Sequence, residues 1–361
     1  FRRVLFRSYL NAVYRIRNCI INGGMYGIRM QYGQDSIVEH CLIANAYYGI
    51  NTDTTTQNIT IQYCRVVNGT LYGNPPPSPY SQGYRIEGSS NLIQHNSVES
   101  CIAGIVSTAS YTNITNNTAL FNQDSGIQAW GSYVYIENNT ASYNGKVAST
   151  FTNAGIVGTV SHSVIQNNTC HYNLAYGLAI WSSGYNVTLR INVLQHNYYA
   201  GIIVRYSTVM NLTYNNITDS NYGIVILGIY NDQIHATYNN ITNMFYAGFQ
   251  LQGIKHSIFA SNYLGNVSSG FYHEYLGSND QQIESSIFRD NTVYYRNEGC
   301  FYSFTDYALN NNQFLDNTCQ AIEHESPPDE DQPPSWIWWV IGGVGGAGVG
   351  VAIFFLVKKY K

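Results

Sequence analysis

Residues 138–145 read NNTASYNG, and the chain repeats this stretch with small changes. NNTALFNQDSGI begins at Asn116 and NNTCHYNLAYGL at Asn167, and looser copies follow as INVLQHNYYAGI from Ile191, NNITDSNYGI from Asn215 and NNQFLDNTCQAI from Asn311. Paired asparagines recur five residues apart, at Asn117/Asn122, Asn139/Asn144, Asn168/Asn173, Asn192/Asn197, Asn216/Asn221 and Asn312/Asn317. Asparagine tolerates turn backbone angles, and its amide both donates and accepts hydrogen bonds. Stacked copies would let these amides bond in ladders along an axis. The motif therefore reads as scaffold, and departures from it become the places to look for function.

The period comes from the glycine that precedes an aliphatic or aromatic residue. It falls at Gly27, Gly49, Gly83, Gly104, Gly126, Gly155, Gly177, Gly201, Gly223, Gly248, Gly270 and Gly299, with a degenerate copy at Ala321 and a modal step of 22. One supersecondary unit is thus stacked many times. Each unit holds short period-two runs rich in Ile, Val, Thr and Tyr, broken by Gly and Asn. No stretch before the C-terminus is long enough for a helix. The prediction is an all-β solenoid of short parallel strands over residues 9–325, about 13 coils and on the order of 60 Å long.

Strand side chains alternate between core and solvent. One residue after the glycine, a column from Ile28 through Ile127 and Ile224 to Phe271, Cys300 and Ile322 is predicted to point inward, as is the column two residues further on. The positions between and beyond should then point out. Val106, Val157, Ala179, Ile203 and Val225 would leave an apolar strip on that outward face, which usually marks a ligand or partner surface. The insertions NPPPSPYSQ (Asn74 to Gln82) and GKVASTFTN (Gly145 to Asn153) could wall a groove beside the strip, or one could fold over it.

The chain is 45% hydrophobic and only 11% charged, with a net charge of −4. It has core to spare but no basic surface, which argues against a nucleic-acid partner. Residues 336–357 carry no charge over 22 positions, enough to cross a bilayer as one helix. Trp336, Trp338 and Trp339 would sit at one interface, and Lys358, Lys359 and Lys361 would face the cytoplasm. Residues 326–335 form a Pro-rich acidic linker, and residues 358–361 a basic cytoplasmic tail. Gly342, Gly346 and Gly350 make a small-residue stripe that could pair two such helices into a homodimer. At the other end, FRRVLFRS resembles a translated sequencing adapter, so residues 1–8 are set aside as a scar, and a signal peptide is expected upstream of what is present.

Seven cysteines show no metal-binding spacing and no disulfide framework. Cys19, Cys41 and Cys64 recur at the repeat period and should stack as small hydrophobes, with a Cys41–Cys64 bridge the alternative. Asn68 and Asn186 head sequons in loops and are the expected glycan acceptors, whereas sequons in the tight turns serve the scaffold.

Turns reading N-x-I-x-N-N…Y-G-I resemble the right-handed parallel β-helix, in its NosD-like and carbohydrate-binding-and-hydrolase repeat class. That class includes lyases, hydrolases, adhesins and structural proteins, so the resemblance implies fold more than function. Polygalacturonase-like hydrolases of this fold carry NTD, an Asp pair, G-H-G and R-I-K. Only NTD occurs here, at Asn51 to Asp53. Lyases and epimerases of the fold bind calcium with clustered carboxylates, or use a His-acid pair near D-P-H-[DE]. GFYHE keeps His273 and Glu274 in that register, and AIEHE repeats the pair at His324 and Glu325. Resemblance thus makes His273 and Glu274 the catalytic candidates, with Ca2+ as the cofactor if the protein is a lyase; otherwise no cofactor or metal is expected.

Binding residues are read from the outward face. Trp130 and Trp181 fall two coils apart, roughly 10 Å, where they could stack on sugar rings. Arg85, Glu87 and Gln128 share that face and complete the expected ligand set. The leading expectation is a membrane-anchored extracellular surface protein that binds carbohydrate or a partner protein. The alternatives are a polysaccharide lyase or epimerase, and a spacer or surface-layer component. Low charge with abundant Asn, Thr and Tyr resembles archaeal envelope proteins.

Overall fold

In the computed structural model, residues 4–69, 81–145, 153–182, 184–274, 282–304 and 311–322 are described, with side chains from residue 12 onward. The middles of both insertions, the His324/Glu325 pair, the linker, the 336–357 span and the Gly342/Gly346/Gly350 stripe lie outside them.

Three parallel sheets run the length of this body, and each turn of chain adds one strand to each. The first sheet begins with Tyr26–Gly33, Tyr48–Thr52 and Gln82–Ile86. The second begins with Arg15–Arg17, Ile37–Glu39 and Thr60–Gln62, the third with Ile20–Asn22, Leu42–Ala44 and Arg65–Val67. Together they make an all-β parallel solenoid of about 12 turns, with no helix among the described residues. Val4–Ala12 pairs with Tyr26–Gly33 through Val4↔Ile28 and Phe6↔Met30, so the backbone of residues 4–8, set aside on sequence grounds, is part of a strand.

The inward column follows the glycine register. Cα partners run Ile28, Ile50, Tyr84, Ile105, Ile127, Ile156, Leu178, Ile202, Ile224, Phe249 and Phe271. All are buried in one continuous core. Two ends of the register differ from expectation. A bulge between Leu264 and Ser269 shifts the pairing, so Phe271 faces Phe301 and not Cys300. Ala321 pairs with Tyr295 and not with Gly299, so it does not hold the glycine position of a thirteenth coil. Cys300 instead forms a disulfide with Cys319, a pairing the sequence reading missed because the two lie on successive coils at a spacing of 19.

The glycines have a steric reason. A Cβ on Gly177 would stand 2.7 Å from the Gly201 carbonyl oxygen and 3.0 Å from Asn197 Nδ2. Neighbouring coils approach too closely there for any side chain.

NNTASYNG itself resolves residue by residue. Asn138 and Tyr143 take left-handed backbone angles (φ 55° and 59°) and turn the chain at the two corners of the third sheet. Asn139 and Asn144, each next in sequence, point inward and form the ladders. Asn168 shows the full pattern: its Nδ2 donates to Asn192 Oδ1 (3.1 Å) and Ile136 O (3.0 Å), while its Oδ1 accepts from Asn139 N and Nδ2 (both 3.0 Å). Every polar atom of the buried amide is satisfied, which burial demands. One ladder runs from Asn96 through Asn117, Asn139, Asn168, Asn192, Asn215, Asn239, Asn262 and Asn291 to Asn317. A shorter one joins Asn122, Asn144, Asn173 and Asn197. Two expected pairs need correction. At the Asn216/Asn221 coil the ladder position is Asn215, and Asn312 belongs to a different corner, where its Oδ1 accepts from Ser286 N at 2.8 Å.

Cys19, Cys41 and Cys64 occupy the same corner as the long ladder, one per coil before it starts. Cys64 N donates to Asn96 Oδ1 at 2.9 Å, as the asparagine backbones do further on. All three thiols are free, so the Cys41–Cys64 bridge is not formed.

Candidate functional site

On the outer face of the first sheet, the position just before each glycine forms a row. Along it the residues run Tyr176, Ala200, Tyr222, Ala247 and Ser269, and the bulge between Leu264 and Ser269 then brings Gly299 itself, and not Glu298 before it, opposite Ser269. Bulk alternates until Tyr222, and then three small residues in succession leave a trough. The result is a cleft of about 260 Å3 floored by Ala247 and Ser269. One side is the stacked pair Tyr222 and Tyr246 (centroids 5.2 Å, 28° between planes). The other is Tyr272 and Tyr302, stacked at 5.8 Å and 29°, with Glu298 exposed at the rim. Tyr272 lies three residues after Ser269 on the same strand, roughly 10 Å along it, so the two tyrosine pairs face each other across the floor.

The floor carries unsatisfied polarity. Ser269 is 1% exposed, and its Oγ has no hydrogen-bond partner among the described residues. Gln250 is also buried; its Nε2 donates to Glu274 Oε2 at 2.8 Å, while its Oε1 has no partner. Orphaned buried polar atoms are uncommon and mark places where a ligand or water completes the bonding.

The tyrosines are held protonated. Burial, then the neighbouring Tyr199, Tyr246 and Tyr272 and the Glu274 carboxylate, push Tyr222 well above the usual phenol value. Burial first, with Tyr176 and Glu274 adding, pushes Tyr199 up to about 12 against the opposing Arg205. Tyr272 rises for the same reasons, with Glu274 and Glu298 both contributing after burial. These groups are hydrogen-bond donors and stacking surfaces at neutral pH, and not bases.

Residues expected from sequence fall elsewhere on this face and do not converge. Arg85 pairs with Glu87 (Nε to Oε1 2.8 Å) and lies over Tyr48. Gln128 Nε2 donates to Asp124 Oδ2 at 2.8 Å. Trp130 and Trp181 do share a row, with Thr159 between them. The Trp181 ring, however, has Arg205 over it at 5.3 Å and Tyr176 edge-on at 5.6 Å, so it is engaged and not an open platform. Two coils separate Trp181 from the start of the cleft at Tyr222. Glu274 accepts from Gln250 outside the cleft lining, and His273 is 1% exposed on the inward face, with Phe304 beside it at 5.9 Å. In this position the imidazole does not face the outer surface where the cleft opens.

The apolar strip is likewise not open. Val157, Ala179, Ile203 and Val225, with Ala154 and Ala200, form a second buried cluster under Tyr176, Trp181, Tyr199, Tyr222 and Leu227, and Val106 is buried as well. Aromatic side chains from the flanking rows fold over the strip because leaving it wet would cost roughly 25 cal/mol per Å2. The sequence signal for the cleft was the pair of small residues at Ala247 and Ser269 where Tyr176 and Tyr222 stand on other coils; that Gly299 follows them depends on the bulge and was not legible.

Among the described residues no three His, Cys, Asp or Glu side chains converge as metal ligands. Asn68 and Asn186 are exposed at left-handed turn positions. Turn sequons such as Asn138 and Asn167 are exposed too, because the second asparagine of each pair carries the ladder.

A parallel solenoid of stacked short strands is the architecture of the right-handed parallel β-helices. The family model for the right-handed β-helix region matches residues 6–119 and 82–239, and the chain belongs to that family. Among solved structures it is similar to the catalytic unit of a thermostable GH87 alpha-1,3-glucanase from Streptomyces thermodiastaticus strain HF3-3, at TM-score 0.59 and 14% identity over 84% of this chain. It spans only 62% of that glucanase. It is also similar to the Azotobacter vinelandii mannuronan C-5 epimerase AlgE6 A-module (TM-score 0.55, 13% identity, 85% of this chain and 92% of that one). A third likeness is to the periplasmic alginate epimerase AlgG (TM-score 0.51, 14% identity, 86% and 75%). At these identities the likeness is one of fold. No curated protein matches the chain in sequence.

Proposed function

We propose that the protein is a glycan-binding β-helix displayed at a cell surface, taking a saccharide unit in the cleft between Tyr222/Tyr246 and Tyr272/Tyr302. The observation that carries this reading is the unpartnered Ser269 Oγ on a floor between two stacked tyrosine pairs. Sugar rings present C–H faces that stack on aromatic rings and hydroxyls that satisfy buried polar atoms, and this cleft offers both. Its volume suits one or two saccharide units. The fold neighbours act on glucan and alginate by name, which supports a saccharide as the ligand class. Membrane attachment through residues 336–357 belongs to the same proposal and rests on the uncharged span with its tryptophan and lysine flanks.

A second reading, a lyase or epimerase, draws on those neighbours and on the carboxylates of Glu274 and Glu298. Proton abstraction beside a uronate needs a base at the cleft. His273 is buried, and burial holds Tyr222 and Tyr272 protonated, which leaves the exposed Glu298 carboxylate as the base on the cleft lining that this reading would require.

Glycan-array binding by the full chain tests the proposal. Tyr272→Ala should lower retained signal roughly fivefold, since one aromatic stacking contact is worth on the order of 1 kcal/mol. Trp130→Ala should leave it within about twofold. Equal signals from parent and Tyr272→Ala, with the fold intact by circular dichroism, would remove the cleft as the binding site.

A further inference from the structure

The charge around the cleft narrows the ligand further, and this step rests on the glycan reading above. Glu298 lies at the rim, and outside the lining Gln250 Nε2 donates to Glu274 Oε2 at 2.8 Å. No Lys, Arg or His is among the described residues that line the cleft. Arg205 and Arg296 lie outside the lining with their guanidinium groups engaged. Arg205 sits over the Trp181 and Tyr206 rings at 5.3 and 5.4 Å, on the coil before Tyr222. Arg296 NH2 donates to the Met244 and Phe245 carbonyls at 2.5 and 3.4 Å.

Four phenol rings and the Glu298 carboxylate line the cleft, with no cation among the described lining residues, so its own groups favour a cationic ligand over an anionic one. Aromatic faces attract an ammonium through their quadrupole, and a carboxylate at the rim adds a direct charge partner. A uronate would instead bring its own carboxylate against Glu298, and like charges placed together suppress binding. The cleft is therefore unsuited to a polyuronate such as alginate, the polymer named for two of the fold neighbours. We propose that it selects a saccharide bearing a free, protonated amino group, a hexosamine unit, over neutral and acidic sugars. Ser269 Oγ would take a hydroxyl and the Glu298 carboxylate the ammonium, with a tyrosine pair on either side of the ring.

Titration calorimetry of the full chain tests this with three probes of equal length: an oligomer of glucosamine, its N-acetylated counterpart and an oligomannuronate. The glucosamine oligomer should bind about tenfold tighter than the N-acetylated one, the sum of one exposed ion pair and one cation–π contact, and the advantage should shrink as salt is raised. The oligomannuronate should not bind. Glu298→Gln should shrink the gap between the two amino-sugar affinities to the part that the tyrosine rings supply, about threefold, and Glu298→Lys should admit the oligomannuronate; this exposed position tolerates both changes, which matched melting curves would confirm. Equal affinity for the amine and its acetylated form, or preference for the oligomannuronate, overturns the inference while keeping the glycan reading. Failure of all three probes to bind, together with a Tyr272→Ala variant indistinguishable from the parent on the array, overturns both.

Discussion

Asn139 donates from its side-chain Nδ2 to the Oδ1 of Asn168, one coil along, at 3.0 Å. The same Oδ1 takes the Asn139 backbone N–H, so one amide closes the turn of its neighbour and is itself closed by the next. Replacing one rung leaves buried partners unpaired on both sides. Asn168→Ala should therefore cost about 3 kcal/mol, whereas Asn167→Ala, at the exposed turn position one residue earlier, should cost about 1 kcal/mol, mostly through backbone strain, since its one exposed bond to Glu137 at 3.3 Å is readily replaced by water. Urea denaturation of the two variants gives the comparison, and equal losses would contradict the division of labour within the pair.

Ile191 holds a left-handed backbone angle (φ 56°) at the turn position where other coils have Asn138 or Asn167. Its β-branched side chain is 49% exposed and gains little from burial to offset that strain. Ile191→Asn should raise stability by roughly 1 kcal/mol, seen as a higher urea midpoint with an unchanged slope.

Gly177 meets the next coil through the Gly201 carbonyl. A methyl group there cannot be relieved by a rotamer change, because the obstacle is backbone. Gly177→Ala should destabilise by about 2–3 kcal/mol even though its backbone angles suit alanine. By contrast Gly299 has open space around its Cβ position but φ +100°, so Gly299→Ala should lose about 1–2 kcal/mol to strain alone.

Tyr199 and Tyr222 are the late-titrating phenols. A phenol raised in the folded state binds its proton more tightly there than in the unfolded chain. Its contribution to stability is therefore whole below the unfolded value near pH 10 and is lost as pH rises through the folded value, about 12 for Tyr199. Ultraviolet titration should show a phenolate fraction appearing only near pH 12, and Tyr199→Phe should remove part of it. Ionisation of all tyrosines in one step near pH 10 with the fold intact would contradict the buried aromatic roof.

The repeat alone gave the coil, its inward columns and the scaffold role of the asparagines, because a period-two pattern locked to a 22-residue step admits few registers. Where a single residue could slide the register, at Asn215/Asn216 and Cys300/Phe301, only the pairing of neighbouring coils settled it. The same holds for the face: Val157 and Ile203 point outward as read, yet Tyr176, Tyr199 and Tyr222 from other rows cover them. Trp181 was legible as an outward aromatic residue, but the Arg205 that engages it comes from the next coil. Strand alternation is a local property of the backbone, so sequence determined which way each side chain points. Burial and cavities arise from side chains that meet across coils 22 or more residues apart, so only the tertiary structure decided that Tyr222, Ser269 and Tyr272 would enclose a cleft and that His273 would be sealed beneath it.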